Sequence, residues 1–256
     1  RSSISDLICK GINPKFYFIS GSGDRKSFSK TNLKKISNSL KQEQKKYSIN
    51  IGGGDTVYSR KLSFTITSIG FSKKIIYRNK AKIGDDIYVT GNLGDSYIGL
   101  KVLKKSIKMN KRLGNYFKKR YYYTDLNLKF IRKLLSLANT SIDISDGLFT
   151  DLDKLINKQK LSYKLYLKDV PISQNLKRLI DLKLIKKINC ISKGDDYQIL
   201  FTAKPSKSNI INRTGKTLGI KISKIGKICS PSYASEIIDE KKAKIIPKNK
   251  GYYHTF

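Results

Sequence analysis

Between Phe28 and Lys46 the apolar side chains fall at Phe28, Leu33, Ile36 and Leu40, with lysines and polar residues between them. That spacing forms one stripe on a helical surface and predicts an amphipathic helix over 28–46. The run Tyr47–Ile51 then reads as a strand that stops at glycines 52–54. Residues 61–71, KLSFTITSIGF, alternate and are β-branched, the pattern of another strand. Further along, 81–105 predicts a turn, a strand at Ile87–Thr90, a glycine-containing turn and a helix from about Ser96. Residues 104–123 read as a solvated helix running into tyrosines, and 126–138 as a second helix. The stretch 140–160 gives a short strand, a turn and a helix; 161–173 is strand-like as far as Pro171. Residues 188–204 read as strand, turn, strand, and 221–229 as a last strand. A seam falls near 72–84, with two strand–turn–helix units beyond it. The pattern is that of a mixed α/β chain without an internal repeat.

With 256 residues the chain is long enough for a sizeable core and for two domains. Its 53 Lys+Arg against 19 Asp+Glu give a formal charge of +34. Nucleic-acid binding is one reading of such a balance. The other is a lysine-biased composition spread over every surface, and lysines in nearly every block of ten favour it. The densest basic-aromatic segment, 104–123, stacks bases on the first reading and is an ordinary exposed helix on the second. Either way the positive field attracts anionic small molecules. Cys9, Cys190 and Cys229 lie far apart in no metal-ligand spacing, as expected of a cytoplasmic protein in a reducing compartment. No apolar run approaches the roughly 20 residues of a membrane span. The single histidine, His254, argues against a histidine-rich zinc site and a Ser-His-Asp triad.

The chemistry must therefore run on carboxylates, backbone amides and cations. Sixteen of the acids are Asp, and the notable ones are expected at strand exits and turns: Asp55, Asp95, Asp143, Asp146, Asp195 and Asp196. For Asp95, helix capping is the expected role. Asp151 and Asp153, in a first helical turn, read as partners of the helix dipole. In SIDISDGL, alternation puts Asp143 and Ser145 on one face, with Asp146 opening the turn where helix amides also point. Two carboxylates and a hydroxyl there suit either a hard cation such as Mg2+ or ordinary capping. GGGDT, 52–56, pairs close-approaching glycine backbone with the Asp55 carboxylate. It is neither a P-loop nor G-x-G-x-x-G, and SGSGDRKS at 20–27 only imitates the former's composition.

Six stretches occur together and in order: SISDLICKGINP (3–14), IGGGDTV (51–57), YRNKAKIGDDIYVTGNLGDSYIGL (77–100), SIDISDGLFTDL (141–152), SKGDDYQILF (192–201) and KGYYHTF (250–256). In these the chain resembles the thiamine-monophosphate kinases, of the superfamily of aminoimidazole ribonucleotide synthetase. The resemblance implies a two-domain α/β fold with mixed sheets, an incomplete N-terminal domain over 1–76 and a C-terminal domain over 77–256. It implies ATP-dependent phosphorylation of thiamine monophosphate to thiamine diphosphate with several Mg2+ ions, in a homodimer. It makes Asp6, Asp55, Asp143 and Asp146 metal ligands, and Gly54, Asp55, Arg78 and Ser145 contacts to ATP. Asp195 and Tyr252 become contacts to the substrate. A phosphate-monoester acceptor is largely ionised at neutral pH, so positioning and charge neutralisation are needed rather than a strong base. The chain departs from the family in carrying Asp195 where Glu is usual, and in offering both Tyr252 and Tyr253 for one aromatic role. No family-like GDDAA or HF segment precedes SISDL, so a longer parent protein is expected. The remaining readings are another ATP-using member of the superfamily, a catalytically silent relative, or a basic nucleic-acid-binding protein.

Overall fold

The computed structural model describes residues 1–252; Tyr253 and His254, both singled out above, lie outside the described residues. The first helix, α1 (Ser2–Cys9), leads into strand β1 (Asn13–Gly23). Helix α2 (Lys30–Tyr47) crosses over to β2 (Asn50–Tyr58), and β3 (Ser63–Phe71) completes a three-stranded sheet of order β2-β1-β3. β2 runs parallel to β1 and β3 antiparallel to it.

The strand expected to stop at the glycines continues through them. Register slips between Tyr17 and Phe18, opposite Ile51 and Gly53, leaving Gly52 as the extra residue of a bulge. A methyl group on Gly52 would meet the Phe18 ring at 2.8 Å, and one on Gly54 would meet the Ile19 carbonyl oxygen at 1.9 Å. The glycines are thus required by close strand packing, and Asp55 sits within the strand opposite Ser20, not at a strand exit.

The larger sheet has order β5-β7-β4-β8-β6-β9. It is built from β4 (Asp86–Thr90), β5 (Thr140–Asp143), β6 (Ser162–Tyr166), β7 (Ile199–Ala203), β8 (Ile222–Cys229) and β9 (Glu236–Ile238). Neighbours are antiparallel except β6 and β9. Every residue of β4 and β7 is buried, as expected of central strands covered on both faces. Alternation divides them. Ile87, Val89 and Leu200 face a core closed by α6 (Leu148–Ile156). Tyr88 and Phe201 stack at 5.3 Å in a second core with Ile4 and Ile8 of α1 and with α5 (Ile131–Leu137). That second core also contains Tyr17 of β1 and Ile49, so the two sheets share it. Full burial of each such aromatic contributes on the order of 2 kcal/mol. The small sheet leaves Phe16, Phe18, Ile51, Val57, Phe64 and Ile66 at 40% exposure or more, and of these Phe16, Phe18 and Val57 lie on the face away from Tyr17.

The remaining helices are α3 (Asp95–Leu103), α4 (Lys111–Tyr122), α7 (Gln174–Asp181), α8 (Lys187–Ile191) and α9 (Ser208–Leu218). The first strand expected in 188–204 is instead α8. Its buried Cys190 joins Ile98, Leu176 and Leu179, and a run this short does not separate a strand from one helical turn. Asp95 also departs from expectation. It makes no capping bond but is buried, accepting hydrogen bonds from the Ser173 and Tyr116 hydroxyls at 2.7 and 2.8 Å. Among the described residues no helix is long and apolar enough to cross a membrane.

Candidate active site

Helix α1 lies against the end of β5, and the contact is polar. Ser5 donates to Asp143 Oδ2 at 2.6 Å, a buried bond between groups far apart in sequence. One turn on, Cys9 Sγ donates to the Asp6 carbonyl at 3.1 Å, and the Ser141 hydroxyl donates to the Cys9 carbonyl. The result is a cluster in which a carboxylate oxygen of Asp6, one of Asp143 and the Cys9 sulfur all lie within 4.8 Å of one another. Asp6 is exposed; Asp143 and Cys9 are buried. Burial, then the neighbouring Asp6 charge, raises the Asp143 carboxyl above the ordinary carboxylate range, against the lowering effect of the Ser5 hydroxyl. Burial also pushes the Cys9 thiol up, further raised by Asp143, so it stays protonated.

Two cations flank this cluster. Lys10 donates its ammonium to the Ser141 carbonyl. Its pKa is lowered first by burial, with Arg78 lowering it further and the Asp143 and Asp6 charges opposing. Arg78 is exposed, in the connection between the two sheets. Lys10 is therefore close enough to feel both Arg78 and the carboxylates.

Ser145 and Asp146 follow in the turn between β5 and α6, where Gly147 takes φ +122°. The amides of Asp146 and Gly147 donate to Asp151 Oδ2 at 2.9 and 3.1 Å. Asp151 thus acts as the dipole partner expected, and its burial raises it to about 6. These two helix amides are occupied by the Asp151 carboxylate. The Asp146 carboxylate binds Lys154, and its carbonyl accepts from the Tyr252 amide at 2.8 Å. The 193–197 segment docks on the same turn: Asp195 N donates to Ser145 O at 2.9 Å and Tyr197 N to Ile144 O at 2.8 Å. Asp195, half-buried and raised by that burial, accepts from the Tyr197 hydroxyl at 3.3 Å.

The structure thus brings Asp6 and Asp143 together, with Arg78 nearby, and ties Asp195 and Tyr252 to the turn bearing Ser145 and Asp146. It does not bring Gly54 and Asp55 into the cluster. Both lie on β2 of the small sheet, where Asp55 is exposed and accepts from the Thr56 amide at 2.7 Å. Sequence reasoning missed Ser5 and Lys10. The signal for Ser5 was its place beside Asp6 in SISDL; nothing local marked Lys10, whose position depends on α1 meeting β5.

Comparison with models of known families gives no match. Curated relatives are informative. A thiamine-monophosphate kinase from Buchnera aphidicola subsp. Schizaphis graminum is 34% identical over 262 residues, covering 98% of this chain and 77% of the relative. The chain belongs to the thiamine-monophosphate kinase family. The Haemophilus influenzae thiamine-monophosphate kinase is 31% identical over 89% of this chain and 69% of its own. Among solved structures, AaThiL complexed with AMPPCP and TMP superposes with TM-score 0.83 at 23% identity, covering 98% of this chain and 77% of that one. The thiamine-monophosphate kinase family shares with this chain a mixed α/β fold of the aminoimidazole ribonucleotide synthetase type.

Proposed function

We propose that this chain phosphorylates thiamine monophosphate to thiamine diphosphate with ATP. The observation that carries the reading is the Asp6–Asp143 carboxylate pair held by Ser5, in a chain related to thiamine-monophosphate kinases over 98% of its length. The donor set fits a hard divalent cation. It offers carboxylate oxygens, the sulfur stays protonated, and an ion would relieve the repulsion that raises Asp143. Asp6, Asp143 and Asp146, and separately Asp55 on the small sheet, would hold several Mg2+ ions, which would neutralise the mutually repelling phosphates. Arg78 and Lys10 present two cations beside the carboxylates, where oxygens of the transferring group need charge. Ser145 and the Gly54 backbone would contact the nucleotide. Asp195 and Tyr252, both anchored to the 144–146 turn, hold the acceptor so that its phosphate lies in line. The acceptor oxygen is already ionised and surrenders no proton to the protein.

In this reading residues 1–76 form the nucleotide- and dimer-forming part and 77–256 the second domain. The exposed apolar face of the small sheet is covered by a second copy in a homodimer. The test is to incubate the purified chain with ATP, Mg2+ and thiamine monophosphate and to quantify thiamine diphosphate. Asp143→Asn and Asp55→Asn are each expected to abolish turnover with the fold intact. Full activity in both would remove the metal assignment.

A further inference from the structure

One lysine serves two carboxylates at the start of α6, and it serves them unequally. Lys154, partly buried, is ion-paired with the Asp146 carboxylate and stands 3.6 Å from Asp151 Oδ1. That longer separation lies within the reach of an ion pair but beyond a hydrogen bond. Asp151 is almost wholly buried, and its two oxygens differ. Oδ2 accepts from the amides of Asp146 and Gly147 at 2.9 and 3.1 Å. Oδ1 is buried without a hydrogen-bond partner, the one carboxylate oxygen so placed among the described residues. A buried acceptor left unpaired is unusual and costly.

The ammonium thus has two stations. It occupies the first, on Asp146, and the second lies on Asp151. Closing the 3.6 Å gap to an ordinary hydrogen bond of about 2.9 Å takes a shift of roughly 0.7 Å, the difference between the two distances. A lysine's flexible four-carbon stem accommodates that without help. The backbone at both stations is meanwhile held. Tyr252 N donates to Asp146 O at 2.8 Å, Asp195 N to Ser145 O at 2.9 Å and Asp151 N to Gly147 O at 2.9 Å. Passage between the stations is a movement of one side chain.

Asp146 is also among the carboxylates proposed above to hold Mg2+. An ammonium and a divalent ion on one carboxylate repel each other. An ammonium moved to Asp151 leaves Asp146 to the ion and satisfies the unpaired Oδ1. We propose that Lys154 is a positioning residue that competes with Mg2+ for Asp146 and passes to Asp151 Oδ1 when the ion binds. Resting on the metal-ligand role proposed for Asp146, this handover adds the group that sets the ion's affinity there. A lysine that merely stapled the turn to α6 would act with the opposite sign. Removing a staple loosens Asp146 and weakens the ion's binding, whereas removing a competitor strengthens it.

Calorimetry with Mg2+ alone, on the full chain without nucleotide, reads that sign. Lys154→Met is expected to bind Mg2+ about threefold more tightly than wild type, the scale of a partly exposed ion pair. Lys154→Arg keeps the competing charge and is expected to bind as wild type does. The gain should vanish in the Asp146→Asn background, which locates it at that carboxylate. A crystal of the wild-type chain soaked in Mg2+ is expected to place Lys154 Nζ about 2.9 Å from Asp151 Oδ1 and away from Asp146. Equal or weaker binding in Lys154→Met, a gain that survives Asp146→Asn, or an ammonium still on Asp146 beside the bound ion each overturns the handover. If Lys154→Met does not fold, the soaked wild-type crystal decides. If the wild-type chain turns over no thiamine monophosphate, the phosphorylation reading falls, and the binding measurements still decide whether Lys154 competes for Asp146.

Discussion

Replacing Gly194 by alanine inserts one methyl group between two backbone segments that are already touching. The methyl would stand 1.7 Å from the Ser145 carbonyl oxygen, 2.5 Å from its carbon and 2.9 Å from Asp146 Cα. None of these atoms belongs to a side chain that can swing away. Ordinary contact begins near 3.4 Å, so the segments must part by roughly 1.7 Å, the difference between the two distances. That movement breaks the 2.9 Å bond from Asp195 N to Ser145 O. A lost hydrogen bond of about 1 kcal/mol and overpacking of about 1–3 kcal/mol give about 2–4 kcal/mol of destabilisation. Urea unfolding followed by circular dichroism measures it. With a slope of about 3 kcal/mol per molar, the midpoint is expected to fall by about 1 M. Gly219→Ala is the control. It also occupies a tight turn, at φ +65°, but a methyl there meets nothing within 4 Å, so only about 1 kcal/mol of backbone strain is expected. Gly194→Ala should also raise KM for thiamine monophosphate, because the shift carries Asp195 away from the turn. A Gly194→Ala variant within about 0.5 kcal/mol of wild type, or less damaged than Gly219→Ala, would refute the close-approach argument.

Gly54→Ala should destabilise the fold with or without nucleotide, by about 2 kcal/mol or more, because its methyl would meet the Ile19 carbonyl at 1.9 Å, and thermal melts in both conditions check it. A loss confined to ATP affinity would instead favour a purely phosphate-facing glycine. Burial raises Asp151 to about 6 and shifts Asp143 upward, whereas unfolded carboxylates titrate near ~4. The folded chain thus binds more protons between these values, so these groups' stabilisation is present below about pH 4 and lost as pH rises through about 6. Thermal unfolding across pH 4–8 without metal checks that sign. Added Mg2+ should stabilise the chain more above pH 6 than below, since it must displace the proton on Asp143; equal stabilisation at both ends would contradict the donor set. Ser5→Ala removes the hydroxyl that lowers Asp143, so the pH midpoint of Mg2+ stabilisation should rise, a shift readable in the same melts.

The elements legible in the sequence were those whose periodicity is set by a single burial direction. The amphipathic α2, the alternating β3 and the strand–turn–helix units β4–α3 and β5–α6 all fall where the pattern placed them. The strand β1 was not read, since Pro14, Lys15 and the four small residues at its end interrupt the alternation; its neighbours supply the register. The α8 turn misled because two or three buried apolar residues satisfy either period. At the candidate site, motif order pointed to Asp6 and Asp143, far apart in the chain, as one centre. What no local pattern contained was the partner of each group: Ser5 on Asp143, Lys154 on Asp146, Ser173 and Tyr116 on Asp95. Ser5 follows from packing of α1 on β5, Tyr116 from packing of α4 on α3 and Ser173 from the start of α7 meeting α3, which is tertiary information, while Lys154 folds back on the turn before its own helix.

The charge of the chain and the charge of the site pull in opposite directions, and distance reconciles them. Surface lysines are screened within about 8 Å at physiological ionic strength. A buried carboxyl therefore responds to its immediate neighbours. This is why burial and Asp6 raise Asp143 even in a chain of formal charge +34. The outer field attracts anions, while the inner pair of carboxylates repels them and, on the proposed reading, would accept a cation. A free divalent ion is opposed by the first and a bare nucleotide by the second. On the proposed reading, the species that would satisfy both is a nucleotide already carrying its metal, anionic as a whole and cationic where it would meet Asp6 and Asp143.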